Sequence, residues 1–148
     1  MPTIQFKKLH PATVVPEYAT DGDAAVDLRA AIDEPLTLNP GDVALIPSGF
    51  AMFIGDRNFA GLILPRSGLG HKQGIILSNG SGLIDAFYQG QVMVGCWNRS
   101  REPYVIKPQE RIAQMVITPV ARAHFKVVQE FTGSSERGAG GFGSTGHS

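Results

Sequence analysis

Glycine and proline interrupt this chain so often that few windows remain for a helix. Eighteen glycines and ten prolines are spread along the whole of its 148 residues. What lies between them reads as short strands. Ile4, Phe6 and the apolar stem of Lys8 alternate with Gln5 and Lys7. In Asp23–Ala30 the residues Ala24, Val26, Leu28 and Ala30 alternate with Asp27 and Arg29, a strand whose second face carries charge. Val43–Ile46, Phe50–Ile54, Ala60–Leu64, Gly74–Leu77, Val92–Trp97 and Pro103–Ile106 are further apolar runs, separated by turn residues such as Asn39-Pro40-Gly41-Asp42. Arg111–Val120 is long enough for a helix, but Val116-Ile117-Thr118 is β-branched and Pro108 and Pro119 bracket it. It is expected as a strand. Many short strands at this spacing predict an all-β sandwich or barrel.

The length suits one domain, and 43% apolar content is enough for a core. The formal charge is +0 with no basic stripe, so neither a nucleic-acid nor a membrane partner is expected. No apolar run approaches the roughly 18 residues of a membrane span. The opening residues lack the order of a signal peptide. Cys96 is the single cysteine, so no internal disulfide can form, as suits a reducing cytoplasm. Its apolar strand predicts burial.

From Gly133 onward six of sixteen residues are glycine. Such a segment buries too little surface to offset its ordering entropy, so residues 1–132 are expected to fold as the β domain and 133–148 to form a flexible arm. A frayed end is the plain reading. Arg137, Phe142, Ser144 and Thr145 among the glycines also suit wrapping a flat, phosphorylated ligand.

Two loops could carry chemistry. Ser78–Gly90 lies between apolar runs and holds one carboxylate, Asp85, three residues before Tyr88. It is either a loop that fixes a polar group or a hairpin whose Asp85 caps the turn. Pro65-Arg66-Ser67-Gly68-Leu69-Gly70 ends a strand in a glycine-containing turn. Its consecutive N–H groups, a guanidinium and a hydroxyl suit phosphate, although a surface turn would look the same. Gly138-x-Gly140-x-x-Gly143 has the spacing of a dinucleotide fingerprint but no strand–helix unit around it. The four histidines, His10, His71, His124 and His147, have no metal-ligand spacing.

Together these segments resemble the homotrimeric dUTP nucleotidohydrolases (dUTPases) of bacterial type. Five stretches carry the resemblance, in the family's order: Asp23–Ala30, Pro65–Gly70, Gly82-Leu83-Ile84-Asp85 with Tyr88 and Gly90 and preceded by Asn79, Glu110–Gln114, and Arg137–Gly146. The resemblance implies a jelly-roll-like β-sandwich and hydrolysis of dUTP to dUMP and pyrophosphate. Asp85 would be the base for a water attacking the α-phosphorus. Arg66, Ser67 and the backbone of Gly68 would hold phosphate. Asp27 and Gln114 would position Mg²⁺ through its waters, with Gln114 also near the substrate. Asn79 and the backbone of Gly82, Leu83 and Ile84 would read uracil, and Tyr88 would lie against the deoxyribose and exclude a 2′-hydroxyl. Phe142 would stack on the base, while Arg137, Gly143, Ser144 and Thr145 would close over the phosphates. The same resemblance implies a homotrimer whose active sites are shared between subunits, each tail reaching a site built by other copies.

Several positions depart from the family pattern. Ala25 and Gln109 replace glycines, Gly80-Ser81 replaces apolar residues, and Phe87 stands where a second aspartate is usual. In extended backbone, side chains two apart share a face, which would put Phe87 beside Asp85 unless the turn breaks that alternation. Two other readings compete with the hydrolase. A dCTP deaminase of the same fold would look for a glutamate where Asp85 stands, and a non-catalytic relative would bind nucleotide or protein without turnover.

Overall fold

A computed structural model describes residues 1–135, 138 and 139. Among these residues, ten strands and one short helix follow in the order β1 (Gln5–Lys8), β2 (Val26–Arg29), β3 (Leu36–Leu38), β4 (Val43–Phe53), β5 (Phe59–Leu64), α1 (Ser67–Lys72), β6 (Ile75–Leu77), β7 (Gly82–Ile84), β8 (Gln91–Asn98), β9 (Tyr104–Ile106) and β10 (Arg111–Pro119). They form two four-stranded antiparallel sheets, β1-β4-β8-β6 and β2-β10-β5-β7, and a ribbon of β3 with β9. This is the expected all-β, jelly-roll-like sandwich. Among the described residues no helix is long and apolar enough to cross a membrane.

Period-2 alternation builds the core. On β8, Val92, Val94, Cys96 and Asn98 point inward and are fully or almost fully buried. On β2, Val26 and Leu28 are buried, which turns Asp27 and Arg29 outward. Asn98 is the one wholly buried polar side chain of this row, and its hydrogen-bonding groups are paired. Its amide donates to Leu38 O and Glu102 O, both at 2.8 Å, and its oxygen accepts from Ser100 N–H and Oγ–H. Burial pushes the Cys96 thiol up to about 12, helped by the charge of Glu110, so it stays an inert packing group.

Three local expectations need correction. The run Val43–Ile46 and all but the last residue of Phe50–Ile54 belong to one strand, β4, which passes through Pro47 and Gly49 with a break in register before Ala51. Gly49 makes this passage possible. Its φ is 79°, and a Cβ there would collide with Thr13 Oγ1 and Ala31 Cβ. The segment after Pro65 is a six-residue helix rather than an open turn. Finally, the Ser78–Gly90 loop contains a strand of its own, β7. Its flanking strands β6 and β8 pair with each other, while β7 crosses to the other sheet and pairs with β5.

Candidate active site

The strand register brings three of the expected residues together. Gln114 sits opposite Asp27 on β2 and opposite Leu64 on β5, so one row crosses the sheet from Asp27 through Gln114 to the end of β5. Two residues past Leu64 comes Arg66, the N-cap of α1. Arg66 Nε lies 2.8 Å from Asp27 Oδ1. Arg111 NH1 lies 3.2 Å from Asp27 Oδ2. Gln114 Nε2 donates to Pro65 O at 3.0 Å, and among the described residues nothing donates to its carbonyl oxygen. Residues 27, 66 and 114 thus converge at one end of the β2-β10-β5 layer.

Arg111 was not among the expected site residues. In a regular strand, positions 111 and 114 point to opposite faces. A bulge between Arg111 and Ala113 adds a residue and puts both on the outer face, opposite Arg29 and Asp27 respectively. Nothing in the residue pattern marks that bulge. Two guanidiniums on one carboxylate leave an excess of positive charge and several unspent N–H donors, a combination suited to phosphate oxygens. Arg66, Gly68 and Arg111 line a cavity of about 350 Å³, and a Cβ at Gly68 would meet no atom within 4 Å, so its backbone is uncovered. Ser67 is exposed beside it. A cavity of about 660 Å³ under residues 13–19 reaches the same Asp27.

The second group lies elsewhere. Leu83, Ile84, Asp85, Tyr88, Gln91 and Met93 line a cleft of about 250 Å³. Asn79 is exposed in the turn before β7, where Gly80 has a φ of 76°. Gly82, Leu83 and Ile84 form β7 itself. Tyr88 hydroxyl donates to Gln91 O at 3.1 Å, and its ring lies across Gly90 so closely that a Cβ there would overlap it. Ile84 pairs with Gly61, which sets Asp85 level with the start of β5. Arg66 follows the other end of β5. Within one chain the two are separated by roughly 15–20 Å at the rise of an extended strand.

Phe87 does not stand beside Asp85. Tyr88 N–H donates to Asp85 O at 3.1 Å, closing a turn that breaks the strand alternation. The Phe87 ring instead packs against Phe53, with centroids 6.1 Å apart, and is 59% exposed. Gln109, at another of the departures, takes a φ of 60° and keeps the left-handed backbone that a glycine would supply. Arg137, Phe142, Gly143, Ser144 and Thr145 lie outside the described residues.

Comparison with known proteins decides the family. A dUTPase family model matches residues 12–146. The chain belongs to the dUTPase family. It is 57% identical to the deoxyuridine 5'-triphosphate nucleotidohydrolase of Psychrobacter cryohalolentis over 99% of each chain. It is 61% identical to that of Burkholderia multivorans over 89% of this chain and 88% of the other. Among solved structures, the dUTPase of Staphylococcus bacteriophage 80alpha with dUpNHpp superposes with a TM-score of 0.84 at 30% identity, covering 99% and 100% of the two chains. A dUTPase mutant from phage phi11 of S. aureus, described with a structural Mg(II) ion, gives 0.80 at 25% identity over 88% and 99%.

Proposed function

We propose that the chain is a dUTP diphosphatase whose sites are completed between copies of itself. Asp85 takes a proton from a water as the water oxygen bonds to the α-phosphorus. The bond from that phosphorus to the bridging oxygen breaks, and dUMP and pyrophosphate leave. Water at neutral pH is a poor nucleophile, so a positioned carboxylate base is what this step requires. Arg66, Arg111, Ser67 and the Gly68 backbone hold the phosphates, and Tyr88 with β7 holds the nucleoside. The single observation carrying this reading is the meeting of Asp27, Gln114 and Arg66 in one row.

The separation of Asp85 from Arg66 supports sharing of the site, because no one chain brings its base to its own phosphate clamp. The outer face of β4 and β8 supports assembly: Val43, Leu45 and Trp97 are all exposed there. A homotrimer, with the arm of residues 133–148 closing over the nucleotide, satisfies both needs. A single buried cysteine agrees with work in the cytoplasm.

Mg²⁺ fits the residues present. Among the described residues no group of three or more His, Cys, Asp or Glu could cage a metal. Magnesium retains water and takes phosphate oxygens, so it needs only an acceptor or two to hold those waters. Asp27 and the carbonyl of Gln114 would be those acceptors, and the bound ion would offset triphosphate charge.

The test is a panel of dNTPs and UTP with Mg²⁺, scored for pyrophosphate and for ammonia. Pyrophosphate from dUTP alone is expected. Ammonia from dCTP, or nucleotide binding without turnover, would overturn the reading.

A further inference from the structure

The turn that leads into β10 is held against the preference of its own sequence. Glu110 N–H donates to Lys107 O at 3.1 Å, closing a β-turn with Pro108 second and Gln109 third. A positive φ at the third position suits glycine, and glutamine adopts 60° there only at a conformational cost. Several bonds hold it in place. Gln109 N–H donates to Ala30 O at 2.8 Å, and Arg29 donates to Gln109 O at 3.0 Å. One oxygen of the Glu110 carboxylate accepts Lys107 N–H at 2.9 Å, and the other accepts a short hydrogen bond from the Tyr104 hydroxyl on β9.

This clasp adjoins the phosphate clamp. Tyr104 and Glu110 line the same cavity as Arg66, Gly68 and Arg111. Arg111 is the next residue along the chain, and Arg66 NH1 contacts its carbonyl at 3.4 Å. Any loosening of the turn therefore moves the starting point of the strand that carries Arg111 to Asp27.

We propose that Tyr104 is a positioning residue for nucleotide binding: its hydroxyl locks Glu110, Glu110 locks the strained turn, and the turn aims Arg111, Asp27 and Arg66 at the triphosphate. The proposal rests on the dUTP reading above. The phenol is pushed up to about 12, first by burial and then by its bond to Glu110 and that group's charge. It is therefore a proton donor at every pH at which a cytoplasmic enzyme works.

The experiment compares Tyr104→Phe, Gln109→Gly and the double variant with the parent. The readouts are the Kd for dUpNHpp in Mg²⁺ and kcat at saturating dUTP. Tyr104→Phe is expected to weaken analogue binding about 3- to 10-fold with kcat within about twofold, less than the full worth of a charge-assisted bond, because only part of that loss is passed on to the clamp. Gln109→Gly alone binds like the parent. The double variant recovers to within about twofold of the parent, because glycine holds the turn without the clasp. Parent-like binding in Tyr104→Phe, an undiminished defect in the double variant, or loss of folding on removal of this one oxygen would each overturn the proposal. A parent that binds the analogue but releases no pyrophosphate refutes the dUTP reading, and the affinity comparison still decides the role of Tyr104.

Discussion

Arg66 Nε lies 2.8 Å from Asp27 Oδ1, and Arg111 holds the other oxygen of the same carboxylate at 3.2 Å. The side chain expected to hold the waters of Mg²⁺ is thus also the anchor of the cations expected to hold phosphate. Both roles depend on its charge. Half-exposed ion pairs of this kind contribute only about 0–1 kcal/mol to stability.

Asp27→Asn should therefore leave the melting temperature nearly unchanged while raising the Mg²⁺ concentration needed for half-maximal pyrophosphate release by about tenfold or more. A magnesium titration beside a melting curve checks this. An unchanged magnesium midpoint would remove Asp27 from the metal's surroundings.

Gly90→Ala forces the Tyr88 ring off its seat, since the new methyl occupies the space the ring fills. The Tyr88–Gln91 hydrogen bond goes with it. The KM for dUTP should rise, and the preference for dUTP over UTP should narrow, because the ring that would exclude a 2′-hydroxyl has moved. Steady-state kinetics on both nucleotides checks this. An unchanged ratio would mean that the sugar is selected elsewhere.

Much of this arrangement was legible in the residues, and where it was not, the cause is local backbone geometry. Alternation in Val26–Arg29 correctly turned Asp27 outward, and the apolar runs marked most of the strands. Arg111 escaped because a bulge reverses its face, and residue alternation carries no trace of an added residue. Pro47 and Gly49 looked like a strand end, yet Gly49 carries β4 across the interruption by taking a conformation closed to other residues. The six residues of α1 are too few to show helical periodicity. For Phe87 the residues left two placements open, and the turn at Asp85–Tyr88 decides between them by ending the alternation that would have aligned it with Asp85.

That turn decides what Phe87→Asp should do. With the ring packed on Phe53 outside the Asp85 cleft, the variant should keep the parent's pH–rate profile, including its acid limb. Overlaying the two profiles is the check. A shifted acid limb would show that position 87 senses the base after all.

Alkaline stability follows from Tyr104 and Cys96. Each binds its proton more tightly folded than unfolded: from 10.0 to about 12 for Tyr104, and from 9.0 to about 12 for Cys96. Their contribution is complete below the unfolded values and is lost as pH rises toward 12. Denaturation midpoints should fall over this range, and Tyr104→Phe should flatten the fall between pH 10 and 12. Parallel curves for parent and variant would contradict the coupling.

The most direct test of a site shared between copies is complementation. Arg66→Ala removes the proposed clamp and Asp85→Asn the proposed base, and the second alone should cut turnover by roughly 10²–10⁴-fold. Co-refolding the two inactive proteins in equal amounts gives mixed rings in which some sites take their clamp from one variant and their base from the other. Random assembly of a cyclic oligomer then predicts about one quarter of the parent's dUTP hydrolysis. A mixture no more active than its two components would mean that each chain builds its own site, contrary to the separation of Asp85 and Arg66 along β5.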